Sequence, residues 1–213
     1  MRRVAVVATG VANTASVLTA LARVGAEPAL CEGAGAAAAV RSADFVVLPG
    51  VGAFAAGAAQ LAAAGLVDVL RERVAAERPL LAICLGLQLL CEHSEESPGV
   101  AGLGVLPVDV TRFPDVAPGG ARLRVPQLGW NLVEPDAGCR LLRPGYAYFA
   151  NSYRVAAKVP GLAVATADHG GPFVAACERG AQLYCQFHPE LSGPYGLDLL
   201  RRWLDVSTEV TPC

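Results

Sequence analysis

The sequence predicts a three-layer α/β domain: a mostly parallel central sheet with helices on both faces, plus antiparallel strands in the second half. Three observations lead there. Short aliphatic runs alternate with helix-spaced segments through the first half. The second half changes to strand-length segments punctuated by Gly, Pro and Asp. The chain has 213 residues and is 54% apolar, enough to bury a core on both faces of one sheet without disulfides or metals.

The elements follow in order. Met1-Arg2-Arg3 before Val4 to Ala8 resembles a signal peptide only superficially, because the apolar run is brief and meets Thr9-Gly10; it reads as a first strand. Asn13 to Val24 has helical spacing, Pro28 to Cys31 and Phe45 to Leu48 are strands, and Gln60 to Ala76 predicts one long helix. The alanine-rich stretches Ala36 to Ala39 and Ala58 to Ala64 fit helices, not low-complexity disorder. Leu80 to Ile83 is a fully apolar strand that passes through Cys84-Leu85-Gly86 into helix-spaced Leu87 to Cys91. Pro114 to Arg124, with Pro118, Gly119 and Gly120, predicts a crossover loop. Beyond it come strands around Trp130 to Val133, Tyr146 to Ser152, Leu162 to Thr166, Phe173 to Cys177 and Gln182 to Phe187, then a helix from Tyr195 to Leu204. Residues 1–205 read as one domain and 206–213 as a tail.

Composition narrows the function. A net charge of -2 with no Lys/Arg run argues against nucleic acid, because phosphate neutralisation needs clustered cations. The longest apolar stretch, near Leu80 to Leu87, is far short of the roughly 20 residues of a membrane helix, so a soluble protein is expected. Seven cysteines, an odd number without a CxxC, suggest neither a disulfide framework nor a zinc site. A reducing cytoplasm follows.

Chemistry concentrates in three places. Ala82-Ile83-Cys84-Leu85-Gly86 is a strand-to-helix turn built like the nucleophile elbow G-x-S-x-G, with Cys for Ser and Ala for the first Gly. Small residues allow the tight bend; the following helix start favours the thiolate and offers the Leu85 N–H to a developing oxyanion. A buried core cysteine is the competing interpretation of this pattern alone. Of the three histidines, His188 stands out: in Gln186-Phe187-His188-Pro189-Glu190 it follows an apolar strand, and Glu190, two residues on, can reach the same side to orient the imidazole. His93, among Glu92, Glu95 and Glu96, reads as a solvated helix-end residue, and His169 as a turn residue. The third place is Leu48-Pro49-Gly50-Val51-Gly52-Ala53-Phe54, where two glycines flank Val51 and permit close backbone approach to a ligand; by itself it is equally an ordinary βα turn.

Pro49-Gly50-Val51-Gly52, Ile83-Cys84-Leu85-Gly86-Leu87-Gln88-Leu89-Leu90 and Phe187-His188-Pro189-Glu190 occur in the order and separations of class I, triad-type glutamine amidotransferases, which the chain resembles from Arg3 to about Leu204. Within that superfamily it is most similar to the glutaminase subunits of imidazole glycerol phosphate synthases, through Gly50-Val51-Gly52-Ala53-Phe54, Gly129-Trp130-Asn131, Tyr148-Phe149 with Ser152-Tyr153, and Gln186 through Gly193. The resemblance implies Cys84 as nucleophile, His188 as base and acid, and Glu190 as orienting carboxylate. It implies oxyanion donors at the Val51 and Leu85 N–H groups. Gly50 and Gly52 form the flexible strand beside them, and Gly52, Gln88 and the main chain near Ser152 and Tyr153 hold the glutamine head group. It implies no metal and no organic cofactor, glutamine as substrate, and a heterodimer with a cyclase, a (β/α)8 barrel, that receives the ammonia.

Some positions depart from the pattern of that subfamily, which usually has His before Gly-Trp-Asn and before Ser-Tyr, Lys after His-Pro-Glu, and Gly-x-Gly-Asn near the start. This chain has Gln127-Leu128, Asn151, Leu191 and Gly10-Val11-Ala12-Asn13 there. Trp130, Tyr148, Leu191, Asn13 and Gln127 are the residues expected to face the partner. The departures leave open a diverged paralogue that supplies ammonia to another synthase. A non-catalytic scaffold conflicts with the intact triad, and a cysteine peptidase or γ-glutamyl hydrolase leaves Gly129-Trp130-Asn131 and Pro49-Gly50-Val51-Gly52 unexplained.

Overall fold

The computed structural model describes residues 2–8 and 13–206. The departure at Gly10-Val11-Ala12 and the tail beyond Val206 therefore lie outside the described residues. Among the described residues eleven strands and six α-helices follow in chain order: β1 Arg2–Val7, α1 Thr14–Arg23, β2 Ala26–Cys31, α2 Ala36–Ser42, β3 Phe45–Gly50, α3 Phe54–Ala63, α4 Val67–Ala75, β4 Leu80–Cys84, α5 Leu85–Leu90, β5 Val110–Arg112, β6 Gln127–Pro135, β7 Gly145–Asn151, β8 Tyr153–Val155, β9 Ala163–Asp168, β10 Pro172–Arg179, β11 Gln182–Cys185 and α6 Gly193–Leu204.

Nine strands form one sheet in the order β2-β1-β3-β4-β11-β10-β9-β6-β7. From β2 to β11 the pairings are parallel, and from β11 to β7 they are antiparallel. The α/β class and the antiparallel second half thus agree with the sequence. The parallel half is buried on both faces, as its aliphatic runs require. Val4, Val6, Phe45, Val47, Leu81 and Ile83 pack on one side with α1 and α6, while Ala5, Val7, Val46, Leu48, Leu80 and Ala82 pack on the other with α2, α3 and α4. That is the period-two alternation of a strand between two helical layers.

The helix expected over Gln60 to Ala76 is broken. It forms α3 and α4, bent by 94°. Gly65 has φ +64, and the N–H groups of Gly65 and Leu66 return to the carbonyls of Ala62 and Leu61, a glycine-terminated helix end that the continuous apolar spacing concealed. Leu66 and Leu61 are both buried where the two helices meet. At the other end of α4 the buried Arg73 ties the helix to its neighbours, its guanidinium donating to the carbonyls of Pro79, Val40, Ala43 and Asp44. The two-stranded ribbon of β5 and β8 was not expected either, being too short to show a period. No single helix among the described residues is long and apolar enough to cross a membrane.

Candidate active site

Strand β4 and helix α5 are consecutive, and Cys84 is the residue between them. It has φ 54 and ψ -108, a conformation that a non-glycine residue adopts at a cost of about 1–3 kcal/mol and keeps only when its surroundings enforce it. Two glycines do so. A Cβ on Gly86 would lie 2.0 Å from the Leu48 carbonyl oxygen, and one on Gly50 would lie 2.9 Å from the Leu85 Cβ. Gly50 is also the register partner of Cys84 across β3 and β4, so the glycine-flanked segment with Val51 starts beside the elbow. Val51 is half-buried, and Gly52 has φ +92, which strains any other residue there. The helix that follows is held by Glu96, which accepts from the Phe54 N–H at 2.6 Å, and by Ser97, which accepts from the Ala55 N–H.

His188 leaves the sheet just beyond β11, and Glu190 sits in a 3-10 turn, Pro189–Leu191. The Nδ1 of His188 lies 2.8 Å from Oε1 of Glu190, with both side chains nearly inaccessible at 6% and 3% exposure. The same ring neighbours Cys84, and with Nδ1 engaged by Glu190 it is Nε2 that remains for the sulfur. Burial pulls the imidazole pKa down, but hydrogen bonds and charge from Cys84 and Glu190 outweigh it and raise it to about 10. The surroundings of the ring therefore favour its protonated form, so that it can receive a proton from the cysteine. Its backbone is fixed as well. The His188 N–H donates to the Tyr148 carbonyl, the Ser192 hydroxyl donates to the His188 carbonyl at 2.6 Å, and the Tyr148 N–H donates to that hydroxyl.

Behind the sulfur runs a chain of amides. Gln88 Nε2 donates to the Tyr153 carbonyl at 3.2 Å and to Oε1 of Gln186 at 3.0 Å, and Nε2 of Gln186 lies 3.6 Å from the Cys84 Sγ. Both N–H groups of Gln88 are thus committed inward, and its carbonyl oxygen is the atom that can meet an incoming donor. Ser152 and Tyr153 are half-buried next to this chain, and the Ser152 carbonyl is occupied by the Phe113 N–H. The elbow, the histidine–glutamate pair, Gly50 to Gly52, Gln88 and Tyr153 are therefore brought together. The contacts of Gln186 were not anticipated, although an amide in the buried run Leu183-Tyr184-Cys185-Gln186-Phe187 was the available signal, since a buried amide demands partners.

His93 and His169 lie elsewhere. His93 is exposed in an isolated bridge with Ala101, beyond the end of α5, 3.3 Å from Asp109. His169 stacks edge-on against Phe113 with Nε2 2.8 Å from the Arg124 carbonyl.

The residues expected at a partner surface divide. Trp130 is 57% exposed and meets Tyr148 edge-to-face at 6.2 Å across the β6–β7 pair. Leu191 is 39% exposed; Leu128 and Tyr146, not singled out as partner contacts from the sequence, are 69% and 61% exposed on the same outward face of β6 and β7 or beside it. Asn13 is exposed and its side chain caps α1 by accepting from the Ser16 N–H. Gln127 is a correction: its side chain is buried, because strand alternation that turns Leu128 and Trp130 outward turns Gln127 inward.

The model of the family described as glutamine amidotransferase class-I matches residues 6–206. Over 207 residues the chain is 43% identical to the imidazole glycerol phosphate synthase subunit HisH of Symbiobacterium thermophilum, covering 95% of this chain and 93% of that one. It is 40% identical to the same subunit of Pseudomonas putida, covering 96% and 97%. In fold it is similar to a glutamine amidotransferase crystal structure at TM-score 0.73 and 22% identity, covering 95% of this chain and 97% of that one. PurLQS from Thermotoga maritima superposes at TM-score 0.67 and 16% identity, with 95% and 97% covered. The match over nearly the whole chain, with relatives at 40 and 43% identity, means that the chain belongs to the class-I glutamine amidotransferases, in the branch of the HisH subunits.

Proposed function

We propose that this chain hydrolyses glutamine to glutamate and delivers the ammonia to a synthase subunit, the (β/α)8-barrel cyclase of imidazole glycerol phosphate synthase in histidine biosynthesis, as a cytoplasmic heterodimer. The observation that carries the proposal is a cysteine on a strained elbow beside a histidine whose Nδ1 is 2.8 Å from a buried carboxylate. His188 takes the Cys84 proton, and the thiolate attacks the side-chain carboxamide carbon of glutamine. The N–H groups of Val51 and Leu85 stabilise the oxyanion. The imidazolium returns its proton to the departing nitrogen, ammonia leaves, and a γ-glutamyl thioester remains on Cys84. His188 then deprotonates a water that attacks the thioester, and collapse expels the thiolate and glutamate. Glu190 holds the ring and balances its charge throughout. Gly50, Gly52, Gln88 and the main chain of Ser152 and Tyr153 hold the substrate. None of these steps calls for a metal or an organic cofactor.

The outward face of Trp130, Tyr148, Leu128, Tyr146 and Leu191 is the docking surface, since a contiguous exposed apolar patch marks a protein partner. Burial of Gln127 removes one departure from that surface and favours the histidine-pathway cyclase over a different synthase. The test is glutamate release by the purified subunit alone and with the cyclase and its acceptor. The isolated subunit should turn over weakly and rise by orders of magnitude in the loaded complex, because Gly50-Val51-Gly52 can rest without donating until the partner biases it. Cys84→Ala should abolish turnover with folding intact, and Glu190→Gln should retain more activity. Near-normal turnover by Cys84→Ala removes the mechanism; failure to bind the cyclase removes the pathway.

A further inference from the structure

We propose that Gln186 is a further catalytic residue of this site, its side-chain amide donating a hydrogen bond to the Cys84 sulfur and keeping that sulfur an acceptor. The role rests on Cys84 being the nucleophile. An amide can be turned either way in principle, so the direction of the chain decides the matter, and it is set by a backbone group that cannot turn. The Tyr153 carbonyl can only accept. It accepts from Asn151 Nδ2 at 2.9 Å and from Gln88 at 3.2 Å, so the Gln88 atom facing it is nitrogen. That nitrogen is 3.0 Å from Gln186, whose facing atom is therefore oxygen. The nitrogen of Gln186 is left pointing at Sγ, 3.6 Å away, within the range of a hydrogen bond to sulfur. Reversing Gln186 alone would set nitrogen against nitrogen at one end and leave the sulfur without this donor. Reversing Gln88 as well would set oxygen against the Tyr153 carbonyl.

Gln186 is fully buried, in a segment otherwise apolar, so its polar ends are there at a cost that only their contacts offset. The sulfur then has the Gln186 amide as a fixed donor, with the His188 ring as its other polar neighbour. Negative charge sits on sulfur twice in the cycle: before attack on the carboxamide, and again when the second tetrahedral intermediate collapses and the C–S bond breaks. A fixed donor aids both moments, and it acts without substrate. The chain also begins at the segment proposed to hold the glutamine head group, which ties substrate placement to the orientation of the amide at the sulfur.

The experiment is alkylation of Cys84 by iodoacetamide in the full chain without glutamine, followed by peptide mapping, with kcat and KM for glutamine measured alongside. Gln186→Met keeps the volume and removes the donor. Alkylation should slow about 10-fold to 100-fold, kcat should fall by a similar factor, and KM should stay within about threefold, as for loss of one hydrogen bond to a charged group. A fall in kcat with wild-type alkylation overturns the proposal, because Gln186 then acts only through structure. If Gln186→Met does not fold, Gln88→Met provides the same test one link back: Gln186 loses its anchor and alkylation should slow several-fold, while a wild-type rate overturns the proposal. A wild-type chain whose Cys84 neither alkylates nor hydrolyses glutamine fails earlier, at the nucleophile itself.

Discussion

Gly196, in the second turn of α6, is the position where a single methyl group should reach the triad without touching it. A Cβ there would lie 1.8 Å from the Pro189 carbonyl oxygen and 3.0 Å from the Ser192 Cβ. Carbon and oxygen rarely approach closer than about 3.3 Å, so Gly196→Ala is short of room by about 1.5 Å. The obstructing atom is main chain, in the turn that carries Glu190. Helix α6 cannot easily retreat, since Trp203 is fully buried with its ring edge-on to Phe45 at 5.2 Å and Leu199 and Leu200 are buried beside it. The turn must move instead, and the 2.8 Å contact between Glu190 and His188 opens past hydrogen-bond range. Misplacement of about 1 Å costs on the order of 100-fold in rate. Overpacking costs about 1–3 kcal/mol, which for a chain of this size is a fall in melting temperature of roughly 2–10 °C. The assay is kcat and KM for glutamine in the complex with the synthase, with thermal unfolding of the free subunit. We expect kcat to fall about 100-fold with little change in KM. Gly35→Ala is the control, since no heavy atom lies within 4 Å of its Cβ position and it should be neutral or slightly stabilising. Wild-type kcat and melting temperature in Gly196→Ala would refute the idea that packing of α6 seats the carboxylate.

A diazo-ketone analogue of glutamine should label Cys84 and no other cysteine. Burial, with Asp109 and Glu92 nearby, pushes the Cys91 thiol up to about 12, and burial pushes Cys185 well above the usual range, so both stay protonated; label found on either by peptide mapping contradicts this. Stability should fall as pH rises from about 6.5 toward 10: His188 holds its proton more tightly folded than unfolded, so its contribution is complete below its ordinary value of 6.5 and is lost as pH climbs through about 10. Urea unfolding across that range should show a smaller fall in Cys84→Ala, where one of the two partners that raise the pKa is gone; equal slopes would count against the ion pair. Trp130→Ser should weaken binding of the cyclase by about 30-fold, as a central aromatic anchor does, while leaving the free subunit's melting temperature unchanged; calorimetric titration giving wild-type affinity would move the docking surface elsewhere.

Much of this was legible because the sheet is buried on both sides. Val4 to Val7, Phe45 to Leu48 and Leu80 to Ile83 have no polar face to hide, so aliphatic runs of strand length identify them directly. The elbow and the histidine–glutamate pair were legible because each falls within one short motif, Cys84 with Gly86 and His188 with Glu190, the members two residues apart. What stayed hidden depends on contacts between distant segments. Gly86 needs its small size because of Leu48, and Gly196 because of Pro189. Gln186 acquires its meaning from Gln88, 98 positions away in the chain. The break between α3 and α4 stayed hidden for a different reason: Gly65 falls inside an alanine-rich pattern whose helical spacing continues on either side, and only the returning N–H groups of Gly65 and Leu66 reveal that the first helix has ended.

The departures from the family pattern show the same division between near and far. Along the sequence Gln127 and Asn151 are separate substitutions, each at a place where a histidine is usual. In the sheet they are register partners on β6 and β7, both buried, on the inward side of the pair. Cross-strand partners on one face experience each other's volume and polarity directly, so two imidazoles exchanged for two amides are energetically one change. Asn151 also donates to the Tyr153 carbonyl from which the chain of amides runs to the sulfur, so this exchange belongs to the support of the active site. Leu191 is different. It is exposed in the turn that holds Glu190, and together with Leu128, Trp130 and Tyr146 it adds apolar surface where a lysine is usual. A partner that meets this chain gains nothing there from a carboxylate, whose desolvation would go uncompensated, and gains from an apolar side chain. On the proposed docking surface, then, the outward residues of β6 and β7 and Leu191 would set specificity for the synthase, while the inward pair lies behind the chain of amides that ends at Cys84.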